Sequence, residues 1–494
     1  MKLFRKIQKW FENQGNLYYL FLIILIVPNI VLCFTEPMPL VAKVCNVLLP
    51  FSIYHMIMSW SGNCGKTFWI LFPFLFFGAF QIVLLYLFGQ SVIAVDMFLN
   101  LVTTNPGEAL ELLDNLIPAI IIVVLLYIPA LVLAAVAVSK KRRLSEMFVR
   151  RERKRAGITV IAGILSLVAA YLFDARYELK SDLYPANVCY NIALAFQRTA
   201  QTQHYAETSK DFTFQAKTTR PEKNREVYVM VIGETSRAAN WSIYGYNRNT
   251  NPELTKIKGL TAFSHVLTES NTTHKSVPML MSSVTAHDFN SIYRQKGIIT
   301  AFKEAGYRTA FFSNQRYNHS FIDFFGKEAD ICDFIKEDTG DGGYNPSDDE
   351  LLKLVAAELA ENVSKQFIVL HTYGSHFNYR ERYPADNAFF LPDFPVDAEL
   401  KYKDNLINAY DNSIRYTDNF LARLIRMLQE QDIDAAMLYT SDHGEDIFDD
   451  DRHLFLHASP VPSYYQIHVP FLIWMSDNCL LYTSDAADDL LCVD

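Results

Sequence analysis

Apolar positions divide the chain into two unlike parts. Up to about residue 173 they gather in five long runs, 17–34, 40–60, 67–88, 116–138 and 157–173, each near the ~20 residues that cross a bilayer. Core helices of a soluble protein are neither this long nor this numerous. No small-residue cleavage site follows the first run, so it predicts a span rather than a removed signal peptide. Between the third and fourth runs, 90–115 is amphipathic, too polar to span, and broken at Pro106–Gly107. It predicts a helical connector along the membrane surface.

From about 225 the pattern changes to short apolar runs separated by helix-like stretches. The runs "VYVMVIG" (227–233), "RTAFFSN" (308–314), "FIVLHT" (367–372), "AAMLYTS" (435–441) and "HVPFLIW" (468–474) predict strands; 349–362 and 408–431 predict helices. Near-continuous apolar strands alternating with helices indicate an α/β domain around a largely parallel sheet. Ligands of such sheets gather at the carboxyl edge of the strands. The predicted organisation is a five-helix transmembrane domain over 1–175, bridging helices over 176–224, and the α/β domain over 225–476. The last stretch, 477–494, reads as a non-native tail.

Charge adds orientation. Lys2, Arg5, Lys6 and Lys9 precede the first span, Lys66 lies between the second and third, and "KKRR" (140–143) and "RRERKR" (150–155) lie between the fourth and fifth. With alternating spans all of these fall on one side, which the positive-inside rule makes cytoplasmic. Five crossings place the α/β domain outside the cytoplasm, in the periplasm of a bacterium, with the connector on the same side. The net charge of −9 argues against nucleic acid as a partner. Seven cysteines without a C-x-x-C pair exclude a dense disulfide framework and a zinc-ribbon signal.

Candidate chemistry collects at the predicted strand ends. "VMVIGETSR" delivers Glu234, "IVLHTYGSH" delivers His371 and then His376, "LYTSDHGED" delivers Asp442 and His443, and "LFLHASP" offers His457. Carboxylate and imidazole are ligands for zinc or manganese. "NTTHKSVP" (271–278) adds Thr272 and Thr273, whose hydroxyls become nucleophilic only beside a cation or a base. Residue chemistry alone leaves both threonines open. In the connector, Asn100, Thr104 and Glu108 recur every four residues and share a helix face up to the break; spacing alone favours a solvated face there.

"VIGETSRAANWSIYGYNRNTNPEL", "NTTHKSVP", "HTYGSHFNYRERYP", "YDNSIRYTDNFL" and "SDHGE" resemble the bacterial phosphoethanolamine transferases. These are inner-membrane members of the sulfatase/alkaline-phosphatase superfamily, among them enzymes that modify lipid A and confer polymyxin resistance. The resemblance implies a sulfatase-like catalytic domain and a Zn2+ site of one or two ions, with Mn2+ or Mg2+ as substitutes. It implies Glu234, Thr273, Asp442 and His443 as metal ligands, with Thr273 rather than Thr272 as nucleophile. His376 and His457 are implied for the phosphoethanolamine group or a second metal, and Asn100, Thr104 and Glu108 for the donor headgroup. The expected donor is phosphatidylethanolamine and the expected acceptor an envelope glycolipid or glycan: lipid A, lipopolysaccharide core or another. Where the lipid A enzymes flank the nucleophile with cysteines, this chain has Glu269 and Met279, so it is similar to the cysteine-poor branches. Phosphoglycerol transferase, phosphodiesterase and non-catalytic scaffold are the alternative readings.

Overall fold

The computed structural model describes residues 9–88, 116–218, 225–317, 320–336, 346–396, 398–431, 433–459 and 461–479. The connector, with Asn100, Thr104 and Glu108, and the tail from 480 lie outside the described residues. The chain divides into two compact units, with the boundary between Gln197 and Arg198.

Among the described residues of the first unit, four helices are long and apolar enough to cross a membrane: Gln14–Thr35, Leu40–Met58, Ile117–Ser139 and Glu146–Phe173. The expected continuous third span is instead two helices, Cys64–Ile70 and Phe72–Phe88, bent by 60°. Pro73 explains the break, because proline offers no N–H and disfavours helical backbone at the residue before it. The last helix starts earlier than expected: Ser145 accepts a hydrogen bond from Phe148 N at 3.3 Å, and the basic stretch 150–155 continues from this cap. Packing inside the unit uses small residues. A Cβ on Gly65 would lie 2.6 Å from the Ala134 carbonyl, and one on Gly163 would lie 2.7 Å from Ser52 Oγ. Outward faces stay apolar, as Leu125, Ile128, Ile158, Ile161 and Leu165 show, which suits lipid and not water.

Among the described residues, the second unit holds nine strands: β1 (Glu226–Gly233), β2 (Leu260–Phe263), β3 (Arg308–Ser313), β4 (Ile331–Phe334), β5 (Lys365–His371), β6 (Asp434–Ser441), β7 (Asp446–Ile447), β8 (Phe455–Leu456) and β9 (Phe471–Met475). Seven form one sheet in the order β2-β9-β6-β1-β5-β3-β4, with β7 and β8 as a separate pair. The central pairings are parallel, while β9 runs antiparallel to β6 and β2 antiparallel to β9.

Strand alternation builds both layers. On β1, Val227, Val229 and Val231 enter one core cluster, while Met230 and Ile232 enter the other. Ile368 and Leu370 of β5 join the first, with Phe367 and Val369 in the second. The helix Lys403–Gln429 covers the first layer with Leu406, Ile414, Leu421, Ile425 and Leu428. Each such side chain contributes about 1.5–3 kcal/mol on burial. This core fixes the register that matters for the site: Ile232 pairs with His371, and Gly233 with Ser441. The ends of β5, β1 and β6 therefore lie side by side.

Candidate metal centre and active site

Glu234 follows β1, and Asp442 and His443 follow β6, all buried. Thr273 comes from elsewhere, as the first residue of the helix Thr273–Leu280. Its Oγ1 donates to Glu234 Oε1 at 3.0 Å and lies 3.1 Å from His443 Nε2. His443 Nε2 is 3.3 Å from Glu234 Oε1 and 3.4 Å from Asp442 Oδ2. A tetrahedral ion with ligands at ~2.0 Å has edges of about 3.3 Å, so these donors are spaced as such an ion requires. Among the described residues, Glu234, Asp442 and His443 are the group of three whose ligand atoms all lie within 4.8 Å of one another.

The surroundings orient the donors. Asp442 accepts hydrogen bonds from Thr235 N at 3.2 Å, His443 N at 2.7 Å and Ser276 Oγ at 3.1 Å. His443 Nδ1 lies 3.0 Å from the Gly444 carbonyl, which leaves Nε2 for the cluster. Thr235 Oγ1 donates to Glu234 Oε1 at 2.9 Å, and Glu234 Oε2 keeps no hydrogen-bond partner. Thr272, the other threonine, is buried against Ser270 Oγ at 3.1 Å, and its carbonyl accepts Ser276 N at 2.9 Å. It is a helix-capping residue.

Electrostatics follow from two buried carboxylates close to one imidazole. Burial and the charge of Glu234 push Asp442 up to about 7. Burial alone would lower His443, but the charges of Asp442 and Glu234 outweigh it and hold the imidazole up at about 9. Burial opposes ionisation of Glu234 as well, yet the hydrogen bond and charge of His443 keep it well below the carboxylate range. The cluster borrows protons to balance its negative charge, which a bound divalent cation would do directly.

The predicted histidines lie around this cluster. His371 Nε2 is 4.0 Å from Glu234 Oε2, and burial lowers its pKa to about 4. The His457 ring centre is 4.2 Å from that of His443 and 6.1 Å from that of His376. His376 Nδ1 meets the Phe377 carbonyl at 2.6 Å, leaving its Nε2 to face other groups. Burial, with repulsion from His443 and His376, pushes His457 far below the usual histidine value.

Several participants escape sequence reasoning. Glu445 is buried, both its carboxylate oxygens lack a hydrogen bond of good geometry, and it lies 3.6 Å from His457 Nδ1. Burial pushes its pKa well above the ordinary range. Its place in "SDHGE" was the available signal. Arg237 is buried between the Tyr410 and Tyr465 rings, pairs with Asp449, and donates to the Glu445 carbonyl at 2.9 Å. Asp348 accepts from Tyr373 N at 2.8 Å and Gly374 N at 3.0 Å, fixing the turn that touches Glu234. No strand-end rule points to Arg237 or Asp348. All six described cysteines are free.

Comparison with known proteins bears on the family and the fold. Residues 226–480 match the Sulfatase family profile, and residues 55–200 match the profile of phosphoethanolamine transferase EptA/EptB. The chain belongs to the sulfatase family, and within it to the phosphoethanolamine transferases. It is 30% identical over 367 residues to phosphatidylethanolamine transferase Mcr-1 of Escherichia coli, covering 68% of this chain and 66% of that one. It is 32% identical over 278 residues to the Kdo(2)-lipid A phosphoethanolamine 7''-transferase of Escherichia coli (strain K12), covering 55% of this chain and 48% of that one. The chain thus spans about half the length of that relative. In fold it is similar to the integral membrane lipooligosaccharide phosphoethanolamine transferase A (EptA) from Neisseria meningitidis, with a TM-score of 0.73 at 20% identity, covering 94% of this chain and 89% of that one.

Proposed function

We propose that the chain transfers phosphoethanolamine from phosphatidylethanolamine to a hydroxyl or phosphate of an envelope glycolipid or glycan, lipid A among the candidates, through a covalent intermediate on Thr273. The reaction belongs to the periplasmic face of a bacterial inner membrane. One observation carries the reading: Thr273 Oγ1 is the only side-chain hydroxyl, among the described residues, placed on both Glu234 Oε1 and His443 Nε2, at 3.0 and 3.1 Å. A divalent ion held by Glu234, Asp442, His443 and Thr273, Zn2+ by the mixed nitrogen and oxygen donor set, supplies a Lewis acid that favours an ionised hydroxyl near neutral pH.

The residues then have definite tasks. Ionised Thr273 Oγ1 bonds to the donor phosphorus as the bond from phosphorus to the glycerol oxygen breaks. The departing diacylglycerol oxygen takes a proton from His376, which stands 6.1 Å, ring centre to ring centre, from His457 at the edge of the cluster. In the second half the acceptor group returns its proton to that histidine and bonds to phosphorus, while Thr273 Oγ1 leaves as it arrived. The helix starting at Thr273 directs its positive end at the incoming phosphate. Glu234, Asp442 and His443 are each buried, while Thr273 is half-buried and open to an incoming substrate.

The test uses the full chain purified with Zn2+ and phosphatidylethanolamine carrying a fluorescent acyl chain. Release of fluorescent diacylglycerol by the unaltered chain, and its loss in Thr273→Ala with bound metal retained, is the expected result. Equal release by Thr273→Ala would contradict the assignment.

A further inference from the structure

In the α/β unit, the loop after Ala385–Asn387 turns large apolar side chains outward: Phe389 is 57% exposed, Leu391 67% and Phe394 70%. Scattered exposed hydrophobics are ordinary, but three within six residues of one loop form a patch. The loop is held firmly. Asn412 Oδ1 accepts from Phe389 N at 2.9 Å and Phe390 N at 2.8 Å, and its Nδ2 donates to the Phe390 carbonyl at 3.0 Å. Asn408 Nδ2 donates to the Pro392 carbonyl at 2.8 Å, and Asn405 Nδ2 to the Phe394 carbonyl at 2.7 Å. Spacings of three and four put these asparagines on one face of Lys403–Gln429.

This construction satisfies backbone polar groups from the inside while the side chains point away from the protein. An apolar medium demands that combination, because an unpaired peptide group there costs several kcal/mol. Cations border the patch: the Arg248 guanidinium lies 4.0 Å from the Phe390 ring centre, and that of Arg415 lies 4.1 Å from the Phe389 ring centre. Aromatic rings beside arginines suit the headgroup zone of a bilayer with anionic lipids. The position is also informative. Lys403–Gln429 leads into the start of β6, so its first turns lie at the carboxyl edge of the sheet, where the metal cluster is. Tyr410, between the clamping residues Asn408 and Asn412, donates to the Thr235 carbonyl at 2.7 Å and accepts from Arg237 N at 2.9 Å. One helix segment therefore grips both the apolar loop and the turn that carries Glu234.

We propose that Phe389, Leu391 and Phe394 are an interfacial anchor: they enter the lipid surface of a bilayer and keep the carboxyl edge of the sheet at the level of the headgroups. The anchor deepens the reading of a lipid donor and rests on it for its purpose. Its test does not depend on turnover. The full chain with Phe394→Trp is placed in nanodiscs of phosphatidylethanolamine and phosphatidylglycerol, with or without acyl chains brominated near the headgroup. The unsubstituted chain supplies the background of its five native tryptophans.

The added emission should move to shorter wavelength and be lost to bromine, and Leu391→Trp should repeat the pattern. Emission typical of water, unchanged by bromine, would overturn the proposal. A shift to shorter wavelength that bromine does not quench would also overturn it, by assigning the loop to a protein surface such as a second copy of the chain. Quenching in a protein that releases no diacylglycerol would keep the anchor and remove the proposed donor; turnover without quenching would do the reverse.

Discussion

Two backbone positions hold Glu234 in place. Thr235 adopts φ +61°, a left-handed conformation that a β-branched residue rarely takes, and Gly374 adopts φ +54°. A Cβ on Gly374 would stand 2.6 Å from the Glu234 carbonyl oxygen and 2.8 Å from its nitrogen. Gly374→Ala should therefore displace the Glu234 carboxylate and cost about 1–3 kcal/mol in strain. Metal analysis of the purified variant should show substoichiometric zinc; full occupancy with unchanged activity would refute this account of the turn. Protonation makes a second prediction. Asp442 is raised to about 7 and His443 to about 9, so at neutral pH a cation must displace protons to bind. Affinity for Zn2+ should rise with pH and level off above about 9, as competition with a chromophoric chelator would reveal. A flat profile would mean that these groups are not the ligands. At this scale the strand-end residues Glu234, Asp442 and His443 were legible because apolar runs point to them. Choosing Thr273 over Thr272 needed the family resemblance, since nothing in "NTTHKSVP" separates a helix cap from a helix's first residue.

Elements were legible where hydrophobic periodicity was strong. Strands β1, β3, β5 and β6 lie within a residue or so of the apolar runs that predict them, the first three being buried on both faces and β6 half-buried on one. The short edge strands β2 and β4, with half-exposed residues, carry no such pattern and were missed. Hydropathy also ran straight through Pro73, although the missing N–H there breaks the helix. Arg237 shows what periodicity cannot supply: a buried guanidinium joining the loop after β1 to Asp449 and to the Glu445 carbonyl. Breaking one partner of a buried pair costs about 3–5 kcal/mol. Arg237→Met should lower the thermal transition of the α/β unit sharply, read by tryptophan fluorescence because Trp241 and Trp474 are buried there. A transition within a degree or two of the parent would show that the pair contributes little.

For the whole molecule, the sequence announced a membrane part and an α/β part, because lipid and a two-faced sheet impose different apolar run lengths. It did not announce the clamped loop at 389–394, whose exposure depends on asparagines of the helix that follows it. A cation that binds the native cluster and not the unfolded chain stabilises the fold by mass action, about 2.7 kcal/mol at a hundredfold excess over Kd. Chelation should accordingly lower the unfolding temperature of the α/β unit, and added Zn2+ should restore it; no shift in either direction would mean that the cluster holds no ion. The most direct measurement is mass spectrometry of the full chain after brief exposure to headgroup-labelled phosphatidylethanolamine and proteolysis. A phosphoethanolamine adduct on the peptide bearing "NTTHKSVP", fragmenting to Thr273, is the predicted result. Turnover of the lipid with no adduct, or with the adduct on Thr272 or on any other residue, would contradict it.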